Sequence, residues 1–224
     1  MPQTTLLDDL VDAILPEVPF DGWTDTAFAH AADTVAVSLD QARAVAPRGA
    51  VDLAVATHKR GDAMMVERMA DADLTGYRYR DKVAHAVWLR LDSITHPEAA
   101  QRATALFALP HLAPLGTQLI WGTADAIWTA LGDTSDDVNW WTKRATLSGV
   151  WGSVLLYWLG DTSDDKEATR AFIDRRIDDV LQIEKAKAGV RKNPLLRAAF
   201  APLTFATSFI KAPAPRDDLP GGHA

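Results

Sequence analysis

Residues 119–165 run LIWGTADAIWTALGDTSDDVNWWTKRATLSGVWGSVLLYWLGDTSDD, and the architecture turns on how this run is parsed. Trp121 and Trp128 stand seven residues apart, as do Trp151 and Trp158. Seven residues is close to two helical turns, so each pair lines one helix face. Both segments are apolar almost all round, which marks them as central in a helical bundle. GDTSDD follows each of them, at 132–137 and again at 160–165. Asp-x-Ser-x-Asp has the opening of a calcium loop, but that loop needs Gly at its sixth place and Glu at its twelfth. Those places hold Val138 and Arg144 in one copy, Lys166 and Phe172 in the other. The hexapeptide therefore reads as punctuation between antiparallel helices. Gly132 and Gly160 close one helix in the left-handed conformation, and Ser or Asp caps the next, with Asp164 and Glu167 as a capping box.

The same spacing in threes and fours extends outward, and no run of alternating β-branched residues interrupts it. It predicts an all-α chain with helices near 4–16, 24–35, 39–46, 49–70, 76–95, 97–108, 113–131, 137–159, 164–188 and 194–211. Pro97 suits a first helical turn, and Pro110 and Pro114 bracket a loop. Residues 24–46, followed by a long helix, have the cadence of the helix-turn-helix with which tetracycline-repressor-like regulators begin. The would-be reading helix, LDQARAVA, offers one arginine, Arg43, beside the acid Asp40. A nucleic-acid surface needs clustered basic residues, so no nucleic acid is expected as a partner.

The 224 residues carry a net charge of −7 and no cysteine. Disulfides and thiolate chemistry are thereby excluded. No run reaches the ~20 apolar residues of a membrane span, and MPQTTLLDDLVDAIL lacks the basic start of a signal peptide, so a soluble, intracellular, bacterial protein is expected. Lys185, Lys187, Arg191, Lys192, Arg197 and Lys211 fall in one segment without acids, leaving seventeen basic against thirty acidic residues elsewhere. Within that segment Asn193 and Pro194 start a helix. Leu195, Leu196, Phe200, Leu203 and Ile210 gather on one face, and Pro202 kinks it. Such a helix fits a membrane interface, or docks on its own bundle or a second subunit.

Catalytic and metal constellations are not found. The six histidines are scattered, none reads with a carboxylate at metal-ligand spacing, and His-Glu-x-x-His, Gly-x-Ser-x-Gly and phosphate-cradling glycine loops are absent. No enzyme, cofactor or metal is expected. The large residues Trp121, Trp128, Leu147, Trp151, Leu155 and Trp158 either fill a core or wall a cavity for a long apolar ligand. Asp125, a carboxylate in an apolar helix, is expected to be buried against Arg144 or Arg175. Trp140 and Trp141 cannot share one face. One of them is therefore at the surface near Lys143 and Arg144, a composition suited to an interface.

Leu109-Pro110, Asp125-x-x-Trp128, Gly132-Asp133-x-Ser135-x-Asp137, Asn139-Trp140-Trp141-Thr142-Lys143-Arg144, Trp158-Leu159 before Asp161, and FIDRRIDDV at 172–180 occur in this order. Together they resemble the ubiquinone-biosynthesis accessory lipid-binding family, the ninth of the coenzyme Q proteins, most strongly over 97–180. The resemblance implies a tetracycline-repressor-like homodimer that binds isoprenoid quinone intermediates without catalysis. It also implies an amphipathic C-terminal helix at the inner membrane surface. Its implied partner, the di-iron demethoxyubiquinone hydroxylase or its bacterial counterpart, would be met at Trp140, Trp141, Lys143 and Arg144. Family members often carry Tyr where Trp141 stands, so a phenolic hydrogen bond is lost. The expected organisation is a helix-turn-helix-like unit (1–48), a lipid-binding domain (49–188), a membrane-contact helix (189–211) and a disordered tail (212–224). A ligand-responsive regulator and a ligand-free scaffold are the rival readings.

Overall fold

The computed structural model describes residues 5–192, and side chains within 5–182. The described residues form helices and no strand: α1 (Leu6–Ile14), α2 (Val18–Asp21), α3 (Asp25–Thr34), α4 (Leu39–Val45), α5 (Ala50–Asp71), α6 (Tyr79–Asp92), α7 (Pro97–Phe107), α8 (Ala113–Ala130), α9 (Val138–Gly160) and α10 (Glu167–Lys192). Helix α2 was not expected. It is a single turn begun around Pro19 and ended by Gly22 at φ +70°. The expected 194–211 helix, with Leu195, Leu196, Phe200, Leu203 and Ile210, lies outside the described residues.

Local chemistry sets the boundaries. Thr5 and Ser38 make full capping boxes with Asp8 and Gln41, and Thr24 caps α3. Pro97 opens α7 as expected, but Pro114 sits in the first turn of α8 rather than in the preceding loop. Gly132 closes α8 at φ +75°, where its N–H bonds Thr129 O and the Asp133 N–H bonds Trp128 O. The second hexapeptide behaves differently. Gly160 remains helical, and Asp161 is the cap residue. The Asp161 carboxylate takes hydrogen bonds from the Ser163 and Thr169 N–H groups and from the Thr169 hydroxyl, and Ser163 Oγ takes one from the Ala168 N–H. The Asp164–Glu167 capping box is not formed.

Two cores result. Leu10, Val11, Ile14, Val18, Phe28, Ala31 and Leu53 join α1–α4 to the start of α5. Met65, Val87, Leu91, Ile127, Trp151, Val154 and Ile173 join the end of α5 to α6, α8, α9 and α10. Helix α5 runs through both, and α8 packs on α5 and α9. None of the described helices is long and apolar enough to cross a membrane.

The turn between α3 and α4 puts Ala36 at φ +59°, with its N–H on Asp33 O and the Val37 N–H on Ala32 O. That is the left-handed closing position glycine favours, and a methyl group there is strained. Ala36→Gly is expected to raise stability by roughly 0.5–1 kcal/mol in urea unfolding.

Candidate functional site

Where α5, α7 and α8 face one another at the edge of the first core, several residues are small: Ala54, Gly61, Ala99, Ala103 and Gly116. Helices carrying large residues above and below cannot close over so many small ones, and a cavity of about 360 Å³ remains. Leu15 and Trp23 bound it from the N-terminal unit, Phe107 from α7, and Trp151 and Leu155 from α9. Its size lies within the range of small-ligand sites.

One end of this cavity is polar and tightly ordered. Arg90 of α6 is 3% exposed. Its Nε donates to Asp62 Oδ1 at 2.6 Å, Nη1 to Ser93 Oγ at 3.3 Å and Nη2 to the His58 carbonyl at 3.0 Å. Its guanidinium also lies over the Trp151 indole, 5.1 Å from the ring centre. Gly61 makes this possible, because a Cβ there would stand 2.6 Å from Arg90 Nη1. The Thr123 hydroxyl donates to Asp62 Oδ1 at 2.8 Å, and His58 Nε2 lies 2.9 Å from Thr123 Oγ1. Burial, reinforced by the Arg90 charge, lowers the His58 pKa from 6.5 to about 4, against the opposing pull of Asp62 and the Leu119 backbone. His58 is therefore neutral near pH 7. Sequence reasoning missed this cluster, although His58 and Asp62 stand four residues apart on one helix face.

The six lining residues expected from sequence divide. Trp151 and Leu155 are on the cavity wall. Leu147 and Trp158 are buried in the second core, and Trp128 packs against it. Trp128 also stacks on Tyr79 at 5.9 Å, with Lys143 above it. Trp121 sits against Trp140 and Trp141 at 6.0 and 5.7 Å. The open space lies on the α5 and α7 side of α8, with Trp151 and Leu155 of α9 at its edge.

The Trp140–Arg144 motif makes a second feature. Trp141 is the surface tryptophan, 39% exposed, and meets Trp140 edge-on at 4.8 Å. Arg144, expected at the partner surface, is instead 3% exposed. It bonds Asp125, the Trp140 carbonyl and Asp133, and its guanidinium lies 4.0 Å from the centre of the Trp140 ring. Lys143 joins Asp133 at 2.6 Å and Ser135 at 2.7 Å. The buried charge is thus Arg144, while the Asp125 side chain, expected to be buried, is 44% exposed. Burial acts to raise the Asp133 pKa, but hydrogen bonds from Lys143, Ser135 and Arg144 outweigh it and hold the carboxyl below its ordinary value. The hexapeptide loop is tied to α9 from beneath, and that tie presents the indoles.

Two measurements check these assignments. Arg144→Met removes a partner from buried Asp133, so unfolding should show a loss of roughly 2–3 kcal/mol, with altered near-ultraviolet indole dichroism. For His58, the unfolded ring takes up its proton near pH 6.5 and the folded ring only near 4. Stability is unaffected above 6.5 and falls with pH between 6.5 and about 4. His58→Phe should flatten this part of the stability–pH curve.

The COQ9 family model matches residues 113–184. The chain is 29% identical over 184 residues to the Bos taurus "Ubiquinone biosynthesis protein COQ9, mitochondrial", and 27% identical over 184 residues to the Homo sapiens protein of that name. Each alignment covers 78% of this chain and 57% of the relative, so the chain spans under two thirds of their length. A Xenopus laevis COQ9-B is 35% identical over 88 residues, 39% of this chain and 30% of that protein. Among solved structures, a TetR transcriptional regulator from Nitrosomonas europaea superposes with a TM-score of 0.63 at 19% identity, covering 77% of this chain and 95% of that one. The fold is therefore tetracycline-repressor-like, and the resemblance to the COQ9 family read from the sequence holds, with residues 113–184 matching the family itself.

Proposed function

We propose that this protein is a non-catalytic accessory protein of ubiquinone biosynthesis. It binds an isoprenoid quinone intermediate and presents it to the di-iron demethoxyubiquinone hydroxylase or its bacterial counterpart. The observation that carries this reading is the largely apolar cavity of about 360 Å³ between α5, α7 and α8, in a chain similar to proteins named for ubiquinone biosynthesis. Exposing an isoprenoid tail to water costs about 0.8 kcal/mol per CH₂, so a protein that shields the head and first part of the tail lowers the barrier to moving it. The Trp140 and Trp141 surface, held by Arg144 and Lys143, is the proposed docking face for the hydroxylase. The homodimer and the membrane-contact helix implied by the resemblance belong to the same proposal.

The TetR neighbour favours one rival, a ligand-responsive regulator. Against it, Arg43, the single arginine of α4, is ion-paired with Asp25 at 3.2 Å and packs over Phe28.

Organic extraction and mass spectrometry of the freshly purified chain, with native mass spectrometry of the same sample, should find a stoichiometric isoprenoid. A protein that stays empty after incubation with quinone-loaded liposomes, and shifts DNA in a low-salt gel, would replace this reading with the regulator. Trp141→Lys, at the more exposed of the two indoles, should leave folding intact and weaken hydroxylase binding.

A further inference from the structure

The polar end of the cavity has a fixed direction of hydrogen bonding. Thr123 has one hydroxyl proton and two acceptors, Asp62 Oδ1 at 2.8 Å and Leu119 O at 3.3 Å. The carboxylate takes it, since two oxygens 2.8 Å apart without a proton between them would repel. The short contact between Thr123 Oγ1 and His58 Nε2 then needs its proton from the ring. Asp62 Oδ2, 3.7 Å from the same nitrogen, favours that proton too. His58 is therefore the Nε2–H tautomer, and Nδ1 carries a lone pair.

The Leu119 carbonyl also meets the ring and lies 3.3 Å from Thr123 Oγ1, the oxygen that Nε2 contacts, so Nδ1 is the ring nitrogen left for the cavity that His58 lines. The neighbouring hydroxyls have the same polarity. Thr57, Ser93, Thr104 and Thr117 each donate to a carbonyl of their own segment, at 2.7–2.9 Å, and turn only lone pairs outward. The two arginines and the indole beside His58 are engaged or enclosed. Arg90 is wedged between Gly61 and Trp151, and Trp151 Nε1 is sealed from any probe. Arg60, at the rim, is held by Asp8 and Asp12. Arg90 and Asp62 also cancel in charge, so an ionised head group would find no counter-charge free.

We propose that this end of the cavity is a hydroxyl-reading subsite: it takes a ligand with an uncharged O–H donor, as a phenol or hydroquinone has, aimed at His58 Nδ1, and discriminates against the carbonyl-only quinone. The proposal rests on the lipid-binding reading above and adds the redox state of the head group that is bound. A quinone carbonyl placed there would face lone pairs and lose its hydrogen bonds to water without replacement.

The test is anaerobic titration of the full chain with geranylhydroquinone and, separately, geranylbenzoquinone, followed by tryptophan fluorescence. The hydroquinone is expected to bind roughly five- to tenfold more tightly, the worth of about one hydrogen bond. His58→Phe should remove the difference by weakening the hydroquinone alone. Equal binding, or preference for the quinone, would overturn the subsite and leave the lipid-binding reading standing. Failure of both molecules to bind would overturn both. Histidine ring nitrogen NMR of the unaltered protein gives a check that needs no variant: His58 should show a protonated Nε2 and a bare Nδ1 that shifts on adding the hydroquinone. A protonated Nδ1 would contradict the proposal.

Discussion

Arg90 buried on Asp62 is the constraint around which the rest is arranged. A guanidinium that is 3% exposed requires acceptors on nearly every side, and it finds them on α5, at its own helix end and over an indole of α9. Thr123 adds α8 to the same cluster. Four helices are thereby held at one point, midway along α5. Gly61 is the position that cannot vary freely, because Arg90 occupies the space its side chain would take.

The cavity follows from that knot together with the small residues beside it. Above the knot, α1–α4 close their own core on Phe28 and Leu53; below it, Trp151 and Ile127 anchor the second. Beside Ala54 and Ala99, at the edge of the first core, a volume survives that is apolar along its walls and polar at one end. A second buried arginine, Arg144, solves a different problem. It fastens the 132–137 loop to α9 and supports Trp140 from below, so the tryptophan face is rigid while its cation is hidden.

Much of the fold was legible in the sequence because helix periodicity and capping are local. The 24–46 helix-turn-helix cadence, the central α8–α9 pair and the Gly132 stop all depend on residues within a few positions of one another. What failed depends on partners distant in sequence. Gly160 resembles Gly132 in its hexapeptide, but Asp161 reaches Thr169 and extends the helix by one residue. Asp125 looked like the buried charge because its neighbours are apolar, yet it lies at the edge while Arg144 goes in. The tryptophans marked a helix pair correctly and a cavity only through Trp151. Much of the cavity wall is alanine, glycine and threonine, which carry no signal of their own. His58 and Asp62 were four apart in plain view, but Arg90 and Thr123, which give that pair its meaning, come from other helices.

The central claim is that the volume between α5, α7 and α8 is the ligand site. A crystal structure of the protein as purified, or loaded with a short isoprenoid phenol, tests it most directly. Continuous density running from His58 past Ala103 toward Phe107 is the predicted result. Ligand density between α8 and α9 around Trp121 and Trp128, with only ordered water beside His58, would contradict it.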